Sequence, residues 1–303
     1  MKIKLLIYLV IVLNIASYSQ DKPKLAFTFD DPAADTTASW QEKDNGILEI
    51  LSKYNLQAAL FVCGMRVDSE EGKDLLNKWD LKGHLICNHS YSHRYYHSKK
   101  ISLEDFEIDF LRCDSIIKSY KNYTKLFRYP FLKEGDTKEK RDGFRNFLAS
   151  VGYMNGYVTI DASDWYIDGR MKDTLKKYPN ADITPYKQFY LDHIYSRAMF
   201  YDSLGLLITG RHINHTLLLH HNLINSMFLE DLIKMFREKG WELVNASDAF
   251  NDPVSLTLPD ILPAGESLIW ALAKQSGRFE EILRYPGEDG EYEKDKLEEY
   301  LKK

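Results

Sequence analysis

Cysteine is scarce: the 303 residues hold only Cys63, Cys87 and Cys113, with no CxxC pair. An odd, unevenly spaced set describes neither a disulfide framework nor a zinc ribbon, so buried, unpaired thiols are expected. A surplus of basic charge is also missing. Lys and Arg number 40 against 45 Asp and Glu, for a net charge of −5. That balance argues against a nucleic-acid partner, which would call for a basic face. Beyond the first twenty residues no apolar stretch approaches the ~20 residues a bilayer span needs. There is no internal repeat and no low-complexity tract.

What is there begins with a distinct N-terminus. Lys2 and Lys4 precede an apolar run from Leu5 to Ala16, and Ser17-Tyr18-Ser19 follows. This is the layout of a secretory signal peptide cleaved after Ser19. The run is 12 residues long and contains Asn14, which disfavours a membrane anchor. No Cys lies near the cleavage point, which disfavours a lipoprotein. The expectation is therefore export to the periplasm or beyond, with no stable membrane span afterwards. Oligomeric state is not legible.

Downstream, short apolar or β-branched runs alternate with amphipathic ones. Strands are expected at 24–30, 57–64, 84–88, 125–130, 155–161, 216–221 and 242–245. Helices are expected at 45–54, 102–118 (opened by the capping box Ser-Leu-Glu-Asp), 138–151 and 224–239. Strand–helix alternation of this kind implies parallel strands, in a barrel or a wound sheet. Two stretches break the rhythm. Residues 166–210 carry Tyr190, Ile194, Arg197 and Tyr201 at helical spacing and read as an inserted helix. Residues 251–303 read as an appendage to a domain spanning 20–250, packed on the core and ending in a solvated charged tail.

The chemistry concentrates where strands end. HLICNHSYSH (84–93) places His89 and His93 four apart, and His97 follows at the same interval. On a helix, residues at i and i+4 lie ~5–6 Å apart and could share an ion. A core or solvated pair is the commoner origin of such spacing. A divalent ion also needs a third donor, and TFDDP (28–32) supplies two carboxylates at the end of a strand. Parallel α/β folds gather their sites at that end. One carboxylate could bind metal while its neighbour acts as a base. RYPF (128–131), DASDW (161–165) and LLLHHN (217–222) end the next strands in the same way.

Taken in order, TFDD, H-S-x-x-H, R-x-P-F, D-x-x-D-W and L-x-H resemble the five motifs of the polysaccharide deacetylases, carbohydrate esterase family 4, over about residues 24–248. The resemblance implies a distorted (β/α) barrel of about seven strands, here with an inserted helical segment and a C-terminal helical appendage. It implies that Asp31, His89 and His93 bind one divalent ion, zinc first, with cobalt, nickel or iron also accepted by such donors. It implies Asp30 as general base, His220 as general acid, Arg128 orienting the base and Asp164 tuning the acid. Phe131 and Trp165 would line the substrate pocket, with the Phe131 N–H as oxyanion donor. Only His89 is followed by the Ser of the family pattern, which leaves His97 as a polar surface or supporting residue and His84 unassigned.

The roles are chemically coherent. A divalent ion polarises an acetyl carbonyl and acidifies water, and the amine leaves only when protonated, which suits a histidine near neutrality. The expected function is hydrolysis of acetyl groups, N-acetyl foremost, from a carbohydrate polymer or oligomer. The alternatives are hydrolysis of another non-peptide C–N bond on the same scaffold and an inactive glycan-binding module. Two departures stand out: Pro32 follows the acid pair directly where the family has Gly, and 56 residues separate Asp164 from His220.

Overall fold

The computed structural model describes residues 22–34, 39–283 and 290–302. The expected signal peptide, Met1–Ser19, lies outside them. In chain order the elements are β1 (Lys24–Asp30), α1 (Ser39–Tyr54), β2 (Ala59–Val62), α2 (Glu70–Leu81), β3 (Leu85–Asn88), α3 (Leu103–Ile117), β4 (Tyr123–Phe127), β5 (Lys133–Gly135), α4 (Lys138–Ser150) and β6 (Met154–Asn155). There follow α5 (Asp164–Lys177), α6 (Thr184–Thr209), β7 (Asn214–His220), α7 (Leu223–Glu238), β8 (Glu242–Leu243), α8 (Ala246–Phe250), β9 (Ala264–Gly265), α9 (Leu268–Ser276) and α10 (Glu291–Leu301).

Seven strands form one parallel sheet in the order β6-β4-β3-β2-β1-β7, with β8 also paired to β1. The sheet curls on itself. After β6 the chain runs on to meet β7, where Thr159 and Ile160 donate to the Thr216 carbonyl, both at 3.1 Å, and Leu218 donates back to Ile160. This seam makes the barrel a distorted one, as expected, and each of the seven expected strands is represented. The fifth is shorter than expected. Only Met154–Asn155 forms a ladder, and 156–160 supplies the bridging seam instead.

Strand parity decides which side chains reach the site. In β1, Leu25, Phe27 and Phe29 pack outward beneath helices, against Ile47 and Leu51 of α1 and Leu229 and Leu232 of α7. Ala26, Thr28 and Asp30 alternate onto the other face, where Ala26 meets Ala59, Phe61 and Cys87. Both faces are buried, as a parallel sheet covered by helices requires. Asp30 therefore points into the barrel at the C-terminal end of its strand.

The capping box of α3 forms as expected: the Ser102 side chain accepts from the Asp105 N–H and the Asp105 carboxylate accepts from the Ser102 N–H. The inserted segment is two helices, α5 and the 26-residue α6, which opens with a proline in its first turn and stops at Gly210 in the left-handed conformation. A helix not anticipated, α2, begins at Ser69, whose hydroxyl accepts from the Gly72 N–H. The three cysteines are buried and unpaired, as expected.

The C-terminal segment differs from a solvated tail. Helix α9 packs on α6 through the buried Leu268 and Ile269, and α10 buries Glu293 and Leu297. β9 pairs antiparallel with β5, making a second, two-stranded sheet. The charged run hid the buried Leu297 and Glu293 on the inward face of a helix, with Tyr300 and Leu301 partly buried against the same core. Among the described residues no helix is long and apolar enough to cross a membrane.

Candidate active site

The histidines converge, but not on a helix. Residues 89–98 form a loop, with Ser90 and His93 both in the left-handed region, at φ 65° and 52°. The i, i+4 spacing therefore owes nothing to helical periodicity. Local hydrogen bonds hold the loop in this sterically unfavourable shape. Asn88 Oδ1 accepts from the Ser90 N–H at 2.8 Å, and Ser90 Oγ accepts from the His93 N–H at 3.1 Å. Asp109, buried on α3, accepts from the N–H groups of Tyr91 and Ser92 and from the Ser92 hydroxyl. Asp109 escaped the sequence reading because an acid inside an amphipathic helix carries no signal of what it faces.

Asp31, also left-handed at φ 58°, completes the set. Donor atoms of Asp31, His89 and His93 lie within 4.8 Å of one another. Metal–nitrogen and metal–oxygen bonds of ~2.0–2.2 Å bring donors at such spacing onto one ion. Three features fit a metal. His89 Nδ1 donates to the Arg128 carbonyl at 2.8 Å, which leaves Nε2 as the free lone pair. Burial pushes the His89 pKa down to about 3 and lowers that of His93, so both rings are neutral at pH 7 and ready to ligate. Asp31 Oδ1 is buried without a hydrogen bond, the Arg66 guanidinium lying 3.5 Å away. His93 Nε2 and Asp31 Oδ2 are 3.4 Å apart. With a neutral imidazole that contact is a convergence of donors and not an ion pair. His97 is elsewhere: its Nε2 donates to the Ala264 carbonyl at 2.8 Å.

Two acid–base pairs flank these donors. Asp30 and His220 are register partners on adjacent strands β1 and β7. Arg128 donates to Asp30 at 2.5 Å, to the Thr28 hydroxyl and to the Gly156 carbonyl, and it lies over the Phe61 ring at 3.8 Å. Burial raises the Asp30 carboxyl above its ordinary range despite this cation, and burial also lowers the guanidinium. Desolvation outweighs attraction for both partners.

For His220 the balance is reversed. Burial alone would lower its pKa, but the carboxylates of Asp164, Asp30 and Asp31 outweigh burial and hold it at about 9. His220 Nδ1 donates to Asp164 at 2.8 Å, so Nε2 is the nitrogen left for chemistry. Burial likewise works to raise the Asp164 carboxyl. It is held down by His220 and by N–H bonds from the His220 backbone, Asn222 and Asn225. Behind Asp164, the Ser163 hydroxyl and His193 of α6 both contact Glu293 of α10, and all three are buried.

These groups open on a cleft of about 880 Å³. Phe131 and Trp165, 42% and 37% exposed, stand in its wall. The Phe131 ring packs edge-on against His93 at 4.5 Å. The inserted segment shapes the cleft through α5 (Trp165, Asp168, Lys172), while among the described residues none of α6 lines it. Arg66 and Glu266 also line it. Both escaped the sequence reading, being brought in by a loop after β2 and by the C-terminal segment. The structure thus gathers Asp30, Asp31, His89, His93, Phe131, Trp165 and His220 around one opening, with Arg128 and Asp164 buried behind Asp30 and His220.

A two-histidine, one-carboxylate donor set between buried acid–base pairs, at the C-terminal ends of parallel strands, is the layout of a hydrolytic site on an α/β scaffold. Residues 17–153 match the model of the polysaccharide deacetylase family. It is 29% identical over 125 residues to a bifunctional xylanase/deacetylase from Pseudobutyrivibrio xylanivorans, covering 41% of this chain and 19% of that protein. It is 25% identical over 157 residues to a peptidoglycan-N-acetylglucosamine deacetylase from Bacillus cereus, covering 51% and 50%. The chain thus spans half or less of the length of these curated relatives. The catalytic domain of a peptidoglycan N-acetylglucosamine deacetylase from Eubacterium rectale shares the fold, with a TM-score of 0.51 at 18% identity, over 74% of this chain and 88% of that one.

Proposed function

We propose that this protein is an exported, divalent-metal-dependent deacetylase that removes acetyl groups, N-acetyl foremost, from a carbohydrate polymer or oligomer. The observation that carries the proposal is the pairing of Asp30 with His220 across β1 and β7, beside the Asp31–His89–His93 donors. A base and an acid then flank one point in the cleft.

An ion held by Asp31, His89 and His93, with zinc first among the candidates, would supply Lewis-acid polarisation of the acetyl carbonyl and acidify the attacking water. Asp30 takes that water's proton. Its raised pKa makes it a stronger base than an ordinary aspartate, and Arg128 fixes its orientation. The Phe131 N–H would donate to the oxyanion that develops on the acetyl carbonyl. His220, its Nδ1 tied to Asp164, delivers a proton from Nε2 to the leaving nitrogen. Trp165 offers an aromatic face to a sugar ring. Export rests on the N-terminal segment.

Acetate release tests the assignment. The purified chain, stripped and reloaded with zinc, is given chitooligosaccharides, peptidoglycan, acetylated xylan and an acetylated matrix glycan. Release from at least one, abolished by chelation, is expected. No release from any of them with zinc bound defeats the proposal.

The acid has its own signature. A general acid must be protonated, so the rate should hold below the His220 pKa and fall as pH rises through it, at or below about 9. Asp164→Asn removes the largest influence raising that pKa and leaves burial opposed only by the more weakly acting Asp30 and Asp31. The alkaline limb should then move down, towards or below the ordinary ~6.5, with the loss greatest at pH 8 and partial recovery at pH 6. A kcat–pH profile checks this; an unmoved limb shows that Asp164 does not tune the acid.

A further inference from the structure

The loop carrying Phe131 is strained. Phe131 and Leu132 are both left-handed, at φ 56° and 58°. Each such non-glycine residue costs roughly 1–3 kcal/mol and persists only where its surroundings over-determine it. On the near side the loop is closed by its own backbone, Leu132 N–H donating to the Tyr129 carbonyl at 2.9 Å and Lys133 N–H to the Pro130 carbonyl.

The far side is closed by a segment more than 130 residues away in sequence. β9 pairs with β5 through Gly265 opposite Lys133 and Ala264 opposite Gly135. The Glu266 N–H donates to the Leu132 carbonyl at 2.8 Å. The Glu266 carboxylate accepts from the buried Lys133 ammonium. His97, on the same loop as His89 and His93, donates to the Ala264 carbonyl. The approach is close enough to fix the residue type. Gly265 sits at φ 129°, and a Cβ there would lie 2.1 Å from the Leu132 oxygen. Only glycine fits against that carbonyl.

We infer that Ala264-Gly265-Glu266 is a clasp whose residues position the Phe131 amide, so that the C-terminal segment belongs to the active site and is not an accessory. The role of that amide rests on the deacetylase assignment; the clasp itself is a statement about loop geometry. Gly265 is the sharpest probe, because it has no side chain to meet substrate and an added Cβ would press first on the Leu132 carbonyl, at 2.1 Å, and next on the Glu134 N, at 3.0 Å.

Gly265→Ala should lower kcat by ~10-fold or more, less than outright loss of an oxyanion donor, with KM and zinc stoichiometry within about two-fold of the unaltered protein. Hydrogen exchange at the amides of 132 and 133 should speed up, while exchange in β1 and β7 stays as it was. Glu266→Ala should reproduce both effects and Glu266→Gln, which keeps an acceptor for Lys133, should largely rescue them. This pair decides the matter if Gly265→Ala does not fold. Unchanged exchange at 132–133 in the alanine variants overturns the clasp, as does unchanged kcat in the presence of altered exchange. If the unaltered, zinc-loaded protein releases no acetate, the deacetylase assignment fails, and the exchange result alone then decides the clasp.

Discussion

His89→Ala should abolish zinc binding, whereas His97→Ala should leave the zinc stoichiometry at one. The two residues sit in one histidine-rich stretch and His97 repeats the four-residue interval, yet their surroundings differ. His89 is 2% exposed, neutral by burial, and oriented by its Nδ1–H bond to the Arg128 carbonyl, so its Nε2 lone pair points at the other donors. Losing a supporting residue around a metal ligand costs 10–100-fold in affinity; losing the ligand itself should cost well over ~100-fold. His97 spends its Nε2 on the Ala264 carbonyl. Its removal should cost about 1 kcal/mol of stability through that hydrogen bond and leave the ion in place. Metal analysis of the dialysed proteins, with a melting curve for each, separates the outcomes. Zinc lost from the His97 variant and kept by the His89 variant would reverse the assignment of donors.

The contrast marks what a sequence can and cannot disclose here. TFDD, RYPF, DASDW and LLLH were legible because parity and parallel topology are local rules. A strand's last inward residue lies at the barrel mouth whatever its neighbours are, and Asp30, Arg128 and His220 follow that rule. The backbone at 89–93 was not legible. Ser90 and His93 adopt left-handed conformations that L-residues rarely take, and what holds them there is Asp109 on α3, a contact across 17 residues with no motif. The C-terminal segment was harder still. Strands of three and two residues fall below any periodic signal, and Glu293 is one acid in a charged run until the fold sets it against Ser163 and His193. Elements defined by their own repeat could be read; residues defined by a distant partner could not.

Asp30→Asn should cut acetate release by about 10²–10⁴-fold while zinc stays bound, the range expected for loss of a general base. Asparagine keeps the shape of the side chain and an oxygen for Arg128 but cannot accept a proton from water. Metal retention follows from the proposed donor set of Asp31, His89 and His93, which leaves out Asp30, whose Oδ2 lies 3.7 Å from His89 Nε2. The pH profile gives a second reading. Burial raises the Asp30 carboxyl, so the acid limb of kcat/KM should lie above the ~3.9 of an ordinary aspartate. The rate should be present where Asp30 is ionised and lost as pH falls through that limb, and the limb should disappear in the variant. Stability must be measured alongside. Arg128 is 1% exposed, and stripping the charge from its partner leaves a buried cation uncompensated, a change worth about 3–5 kcal/mol where such pairs are broken. A large loss of melting temperature with proportionate loss of activity would mean that Asp30 serves mainly to neutralise Arg128. A folded, zinc-loaded variant with almost no turnover would place the proton transfer on Asp30. Zinc lost along with activity would place Asp30 among the ligands, and with it the choice of which acid in TFDD binds and which reacts.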